Sequence, residues 1–373
     1  MIGLNFIEKL LDGASVAHLP LEKIAKIKHG KDWKKLASGD IPVYGSGGIM
    51  GYVDTYSYDK PTVLIPRKGT ITNLFYVDSA FWNVDTIYYT EIDETKILPK
   101  YLYYVIKTID LMSLDTGSGR PSLTQAILNK LLIPMPCPDN PEKSLAIQAE
   151  IVRILDAFTA MTAELTAELN MRENQYNYYR EHLLSFDEGD VEWKTLGDIA
   201  EIGTGKHDTR DAIEDGEYIF YARGREPLKL NTFNFDETAI ITAGDGAGVG
   251  KVYHYAQGKY ALHQRAYRIV PDDSMHPRFV YHYISAYFND YIQKASVSSS
   301  VTSLRRPMFL KFPIPVPPHS EQSRIVEILE KFETLTTSIQ EGLPREIELR
   351  QKQYEYYRDL LLSFPKSHPD EAA

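Results

Sequence analysis

Six lysines crowd residues 23–35 (Lys23, Lys26, Lys28, Lys31, Lys34 and Lys35), and four arginines stand in two pairs farther along, Arg223 with Arg225 and Arg305 with Arg306. Clustered cations hold phosphate, and arginine adds a planar fork that can engage two acceptors at once. On that chemistry Lys31, Lys34, Lys35, Lys68 and Lys206 are candidate phosphate anchors, while Arg67, Arg120, Arg223, Arg225, Arg305 and Arg306 are candidates for paired hydrogen bonds to guanine edges. Gln264, within the polar run His263-Gln264-Arg265, is the residue type that pairs with adenine. Tyr44 and Tyr221 precede Gly- or Arg-containing turns at matched positions, and either pack against sugar or close the core. A charge cluster is more often just a solvated face, so these side chains need a scaffold that presents them together.

Catalytic chemistry finds weaker support. An adenine methyltransferase needs an Asn/Asp-Pro-Pro-Tyr/Phe tetrapeptide, and none is present. The glycine-rich stretch Gly244 to Gly250 runs into Lys251-Val252-Tyr253-His254-Tyr255, which reads as a strand; a nucleotide-binding loop would open a helix. A hairpin is the better reading. No Gly-x-x-x-x-Gly-Lys-Ser/Thr run is present for ATP. Asp85, Glu94 and Lys96 loosely mimic a nuclease arrangement, but residues 91–96 read as a solvated loop. Ser46 and Ser118 sit among glycines without forming Gly-x-Ser-x-Gly. The ten histidines show no zinc spacing.

The elements that must position the basic groups are written twice. Residues 175–186 read Q-Y-N-Y-Y-R-E-H-L-L-S-F and residues 353–364 read Q-Y-E-Y-Y-R-D-L-L-L-S-F. Upstream, the run from Gln148 to Leu155 pairs with that from Gln322 to Leu329, Lys130 to Pro136 with Lys311 to Pro317, and Leu21 to Lys31 with Leu196 to Lys206. The interiors match poorly. A duplication of this length implies two structural copies with pseudo-two-fold geometry, suited to a target in two parts. The expected fold class is α/β (α+β), with two similar recognition domains joined by long antiparallel helices that form a coiled-coil spacer. The expected boundaries are an N-terminal segment 1–17, a first domain 18–139, a central helix 140–188, a second domain 189–318, a C-terminal helix 319–364 and a tail 365–373.

Charge is distributed to match. The whole chain carries a formal net charge of −10. Residues 18–139 hold 14 Lys/Arg against 13 Asp/Glu and residues 191–318 hold 15 against 15, while residues 140–190 hold 4 against 10 and residues 319–373 hold 7 against 11. The acidity therefore sits on the helices, leaving the domains near neutral and able to carry local basic faces. The single cysteine, Cys137, excludes an internal disulfide and fits a reducing cytoplasm. No apolar run reaches the roughly 20 residues of a membrane span, and residues 1–17 lack the features of a secretory signal.

Within the domains, Thr62 to Ile65 and Thr238 to Ile241 read as strands, and Pro99 and Pro277 each open a helix. Small-residue loops follow, Thr116 to Arg120 and Ser298 to Ser300. Ile151, Ile154, Leu155, Phe158, Met161, Leu165 and Leu169 recur at steps of three and four, as do Ile325, Ile328, Leu329, Phe332, Leu335 and Ile339. Some 40 helical residues span roughly 60 Å, too far for one small domain to bury. Tyr176, Tyr178, Tyr179, Tyr354, Tyr356 and Tyr357 exceed what one helical seam needs and are candidates to dock a partner's helices. Thr162-Ala163-Glu164-Leu165 is repeated at once as Thr166-Ala167-Glu168-Leu169. Each such unit adds about 6 Å of helix, roughly two base-pair rises, so its copy number is expected to tune the distance between the recognition units.

The ordered set of Ile-Pro-x-Pro (Ile133 to Pro136, Ile314 to Pro317), the Gln148 and Gln322 helices, the Tyr178 to Phe186 and Tyr356 to Phe364 endings and the openings Ile24 to Ile27 and Ile199 to Ile202 resembles the specificity subunits of type I restriction–modification systems. The resemblance covers nearly the whole chain. It implies a non-catalytic host-defence subunit in which each target-recognition domain reads one half of a bipartite double-stranded DNA sequence. It further implies that the helices bind two modification subunits and that restriction/translocase subunits complete the complex. No cofactor is then expected on this chain; S-adenosylmethionine, ATP and Mg²⁺ belong to the partners. Because the interiors diverge, two different half-sites are expected. The competing readings are a stand-alone DNA-modifying enzyme, which binding of S-adenosylmethionine to the purified chain would revive, and a coiled-coil scaffold with no role at DNA.

Overall fold

The computed structural model describes residues 9–364 apart from 14, 116–118, 188, 296–302 and 339. Most of the loop from Thr116 to Arg120, the Ser298 to Ser300 loop and Ile339 thus lie outside the described residues. The chain divides into two compact units, Met1–Leu165 with Ile347–Ala373, and Thr166–Glu346. The division falls between the two Thr-Ala-Glu-Leu copies.

Each domain is closed by its first and last strands. Val16–Pro20 pairs antiparallel with Leu132–Pro136, His18 facing Pro134, and Glu192–Thr195 pairs with Pro313–Val316. This explains the Ile-Pro-x-Pro exits. In a two-stranded ladder alternate N–H groups point away from the partner, so prolines spaced by two need give up no ladder bond. Their apolar neighbours Ile133, Met135 and Ile314 are buried.

The main sheet of the second domain has six strands in the order Ala200–Thr204, Ala266–Pro271, Phe235–Ala243, Tyr253–Leu262, Tyr218–Tyr221, Leu228–Leu230. The first domain builds the same layout in two pieces. Four strands run in the order Ala25–His29, Ile87–Ile92, Thr62–Pro66, Phe75–Val77, and three in the order Gly48–Val53, Ile41–Gly45, Trp82–Asn83. The ten-residue strand Tyr253–Leu262 of the second domain corresponds to the broken pair Phe75–Val77 and Trp82–Asn83 of the first. In both domains a parallel strand pairing joins the candidate tyrosine to this strand: Tyr44 is registered with Asn83 and Tyr221 with Leu262. The expected hairpin through Gly244 to Gly250 is present, with Thr242 facing Tyr253.

A proline-started helix covers each sheet, Pro99–Lys107 in the first domain and Pro277–Ala295 in the second. Each is tethered by a fully buried glutamine. Gln148 accepts a hydrogen bond from Leu98 N (2.8 Å) and donates to Lys96 O (3.0 Å) and Ser144 Oγ (3.1 Å). Gln322 accepts from His276 N (2.6 Å) and donates to Ser274 O (3.1 Å) and Pro317 O (2.9 Å). Gln322→Leu leaves one N–H and two carbonyls of the second domain unpaired in a buried place. It is expected to cost about 2–5 kcal/mol, seen as a lower urea midpoint of the second unit.

The central helix runs unbroken over 43 residues, Pro141–Leu183, about 65 Å at 1.5 Å per residue. The C-terminal helix does not. Against the expectation of one helix over 319–364, His319–Thr337 ends and Leu343–Leu362 begins anew. The cause is local: Gly342 adopts φ +108°, where a Cβ would meet Thr334 O at 2.6 Å, and Pro344 sits in the first turn of the new helix, where its missing N–H costs nothing.

The repeated endings cap the opposite copies. Leu361, Leu362 and Phe364 enter the core of the first unit, with Tyr354 and Leu360 packed against it. Leu184 enters the core of the second, with Tyr176, Leu183 and Phe186. Phe158 stacks on Tyr357 (5.2 Å) in the first unit, as Phe332 stacks on Tyr179 (5.3 Å) in the second. No helix among the described residues is long and apolar enough to cross a membrane.

Candidate nucleic-acid interface

Where the sequences diverge, the backbones keep one hydrogen-bond plan. In the first domain Lys31 N donates to Asn83 O (2.9 Å), Val84 N to Tyr44 O (3.0 Å), Arg67 N to Thr86 O (2.8 Å) and Leu123 N to Arg67 O (2.9 Å). In the second, Lys206 N donates to Leu262 O (3.1 Å), His263 N to Tyr221 O (3.0 Å), Gly244 N to Arg265 O (2.8 Å) and Leu304 N to Gly244 O (2.7 Å). Two bridges complete the match, Lys68 with Ser122 and Asp245 with Ser303. Gly30 and Gly205 occupy equivalent places, where a Cβ would collide with the carbonyls of Val84 and Leu262 respectively.

These bonds gather five loops at one edge of each domain and define equivalent positions: Ser46 with Arg223, Lys68 with Asp245, Asp85 with Gln264, and Thr86 with Arg265. The side chains differ at every one. In the first domain Ser46 N donates to Thr86 Oγ1 (3.3 Å), Arg67 Nη1 donates to Asp85 O (3.3 Å) with its guanidinium over the Tyr88 ring (6.0 Å), and Lys68 is exposed. In the second, Asp245 accepts from Arg223 Nη1 (2.8 Å) and from Arg265 Nη1 (3.1 Å), while Gln264 Nε2 donates to Asp208 (3.2 Å). Burial alone would raise the Asp245 carboxyl, but the hydrogen bonds and charges of Arg223 and then Arg265 outweigh it and hold the group below the usual carboxylate range. Burial, reinforced by Arg223, pushes the His263 imidazole down, and its Nδ1 accepts from Arg265 N (2.9 Å).

Lys31, Lys34, Lys35, Lys68, Arg120, Lys206, Arg225, Gln264, Arg305 and Arg306 are all exposed. The loop bonds bring Lys31, Arg67, Lys68 and Arg120 to one edge of the first domain, and Lys206, Arg223, Gln264 and Arg305 to one edge of the second. For the tyrosines the structure favours the second of the two readings. Tyr221 is 7% exposed and packs edge-on to Tyr260 (5.7 Å), and Tyr44 lies half-buried against Phe75 (5.6 Å) and Phe81 (6.2 Å). Both close the core, because their ring faces are spent on aromatic neighbours. Two of the candidate docking tyrosines are likewise committed, since Tyr176 and Tyr354 pack against the domain cores. Tyr178, Tyr179, Tyr356 and Tyr357 stay exposed. Sequence reasoning missed Asp245 and Arg265. Asp245 lay inside a turn-forming glycine run, and Arg265 was legible only as the neighbour of Gln264.

A family model, the type I restriction modification DNA specificity domain, matches residues 17–172 and again residues 188–349. The chain belongs to that family. Among its relatives, the type I restriction enzyme EcoR124I/EcoR124II specificity subunit of Escherichia coli is 41% identical over 98% of this chain and 98% of its own length. A putative type I restriction enzyme specificity subunit of Haemophilus influenzae is 32% identical over 96% of this chain and 98% of its own. The fold is shared with a type I restriction-modification S subunit from M. genitalium, at a TM-score of 0.65 and 17% identity, covering 96% of this chain and 98% of that one. The two matched segments of the family model take in the two domains and their loop clusters.

Proposed function

We propose that this chain is the DNA-reading subunit of a type I restriction–modification complex, each domain reading one half of a bipartite double-stranded target. The observation that carries this is the pair of equivalent five-loop clusters, held by one backbone plan and furnished with different polar side chains. A constant frame with exchangeable side chains is what two half-sites of different sequence require. The name of the Escherichia coli relative supports the same role.

On this reading the exposed Tyr178, Tyr179, Tyr356 and Tyr357 dock two modification subunits, and restriction/translocase subunits join them. S-adenosylmethionine, ATP and Mg²⁺ act on those partners. The number of Thr-Ala-Glu-Leu units in the central helix sets the spacing between half-sites.

The test is a genome-wide map of N6-methyladenine in cells expressing this chain with its modification subunit. A bipartite methylated motif that vanishes when the chain is omitted is the expected result. Its absence with an assembled, active partner would refute the reading. One added Thr-Ala-Glu-Leu unit is expected to lengthen the spacing and leave both half-sites intact; an unchanged spacing would sink the spacer proposal alone.

A further inference from the structure

We propose that Arg265, positioned by Asp245 and flanked by Arg223, reads a G·C base pair, so that the half-site of the second domain carries a guanine whose identity is set at Arg265. This rests on the reading of the chain as a DNA-recognition subunit and names the base and the residue.

Arg265 is fixed at its backbone and open at its tip. Its N–H donates to His263 Nδ1 (2.9 Å) and its carbonyl accepts from Gly244 N (2.8 Å), while its side chain is 62% exposed. Among the described residues the guanidinium has one partner, Asp245 Oδ2, at 3.1 Å. Most of its five donors therefore remain available in a fork aimed by the carboxylate. Asp245 in turn is held from its other oxygen by Arg223 at 2.8 Å. The cluster borders a polar concavity of about 250 Å³ lined by Thr204, Gly244, Asp245, Gln264, Arg265 and Ser303.

A phosphate anchor would not be built this way. A carboxylate in direct contact with the guanidinium repels phosphate oxygens, and a phosphate needs only a point charge, which a lysine supplies. The major-groove edge of a G·C pair, by contrast, presents the acceptors N7 and O6 of guanine beside the N4 amino donor of cytosine. Two arginine N–H groups answer the acceptors, and a remaining lone pair of Asp245 answers the amino group. The equivalent positions of the first domain, Ser46, Lys68 and Thr86, hold neither a carboxylate nor an arginine. The Arg–Asp pair therefore serves one half-site only, and any guanine read by the first domain is read from other residues.

The experiment selects DNA from a pool of randomised duplexes with the chain assembled on its modification subunit, comparing wild type with Arg265→Lys, Arg265→Ala and Asp245→Asn. Wild type is expected to enrich a bipartite motif. Arg265→Lys and Arg265→Ala are expected to lose roughly tenfold or more of the guanine preference at one position of one half-site, leaving the other half-site unchanged. Asp245→Asn is expected to weaken discrimination at that same position. A bipartite motif unchanged in the Arg265 variants overturns this inference and leaves the proposed function standing. So does uniform weakening across sequences that Arg265→Lys rescues, which marks a phosphate contact. No enriched motif from the wild-type complex overturns the proposed function and this inference with it.

Discussion

A chain cut after Glu346 is expected to keep its second unit folded and to lose its first, although the first lies almost entirely in the retained sequence. Residues Thr166–Glu346 are contiguous and survive the cut whole. The first unit loses Leu361 (1% exposed), Leu362 (9%) and Phe364 (8%) from its core, and with them the Tyr354 and Tyr357 contacts. A single buried Leu→Ala costs about 2–5 kcal/mol, and a domain's whole stability is about 5–15 kcal/mol, so removal of three such side chains takes away as much as the first unit has. Hydrogen exchange read by peptide separates the outcomes. Protection should fall across 16–165 and persist across 166–346; intact protection in 16–136 would refute the exchanged-cap account. Leu361→Ala, which keeps the helix, is the milder version and should destabilise the first unit by about 2–5 kcal/mol.

Acid is expected to strike the opposite unit. His282 is 2% exposed on Pro277–Ala295, and burial first, then the charges of Arg278, Arg180 and His276, push its imidazole down to about 3. The unfolded chain, with an ordinary value near 6.5, therefore takes the proton first as pH falls. Stability is complete above about 6.5 and drains away between there and about 3. At pH 4.5 the loss through His282 is about 2–3 kcal/mol. His254, His263 and His276, lowered chiefly by burial and all in the second unit, act in the same direction. Glu333, raised by burial, opposes them. Urea midpoints of the second unit at pH 7, 5.5 and 4.5 should therefore decline, and His282→Phe should flatten much of that decline. Parallel pH profiles for the variant and wild type would rule out the assignment to His282.

How far the sequence spoke depends on whether side chains or backbone carried the information. The paired endings at Phe186 and Phe364, the Pro-x-Pro exits and the helices opened by Pro99 and Pro277 were legible because each needs particular residue types. The common plan of the two interiors was hidden. Lys31 bonds to Asn83 and Lys206 to Leu262 through main-chain groups that any residue supplies, so Asp85-Thr86 and Gln264-Arg265 can share a place without resembling each other. The tyrosine matching was right in register, and of its two readings the structure favours the core one, since a ring placed on a strand beside aromatic neighbours is drawn inward. The break before Leu343 was written as Gly342 and Pro344, but the apolar period running past it read as continuous helix. Gln148 and Gln322 stood out as repeated letters; only the loops folded over them reveal why an uncharged amide is needed there.

The way each unit borrows its cap also orders events in time. Ribosomes deliver the first domain's strands and helices early, but the leucines that finish its core are encoded some 200 residues later. At about 5–20 residues per second that is a wait of roughly 10–40 seconds. The second domain needs nothing from beyond Glu346 and can close almost as soon as it emerges. The domain made first is thus completed last, and for that interval it carries an uncovered apolar seam, the stretch of biosynthesis in which a chaperone or an early-arriving partner has most to protect.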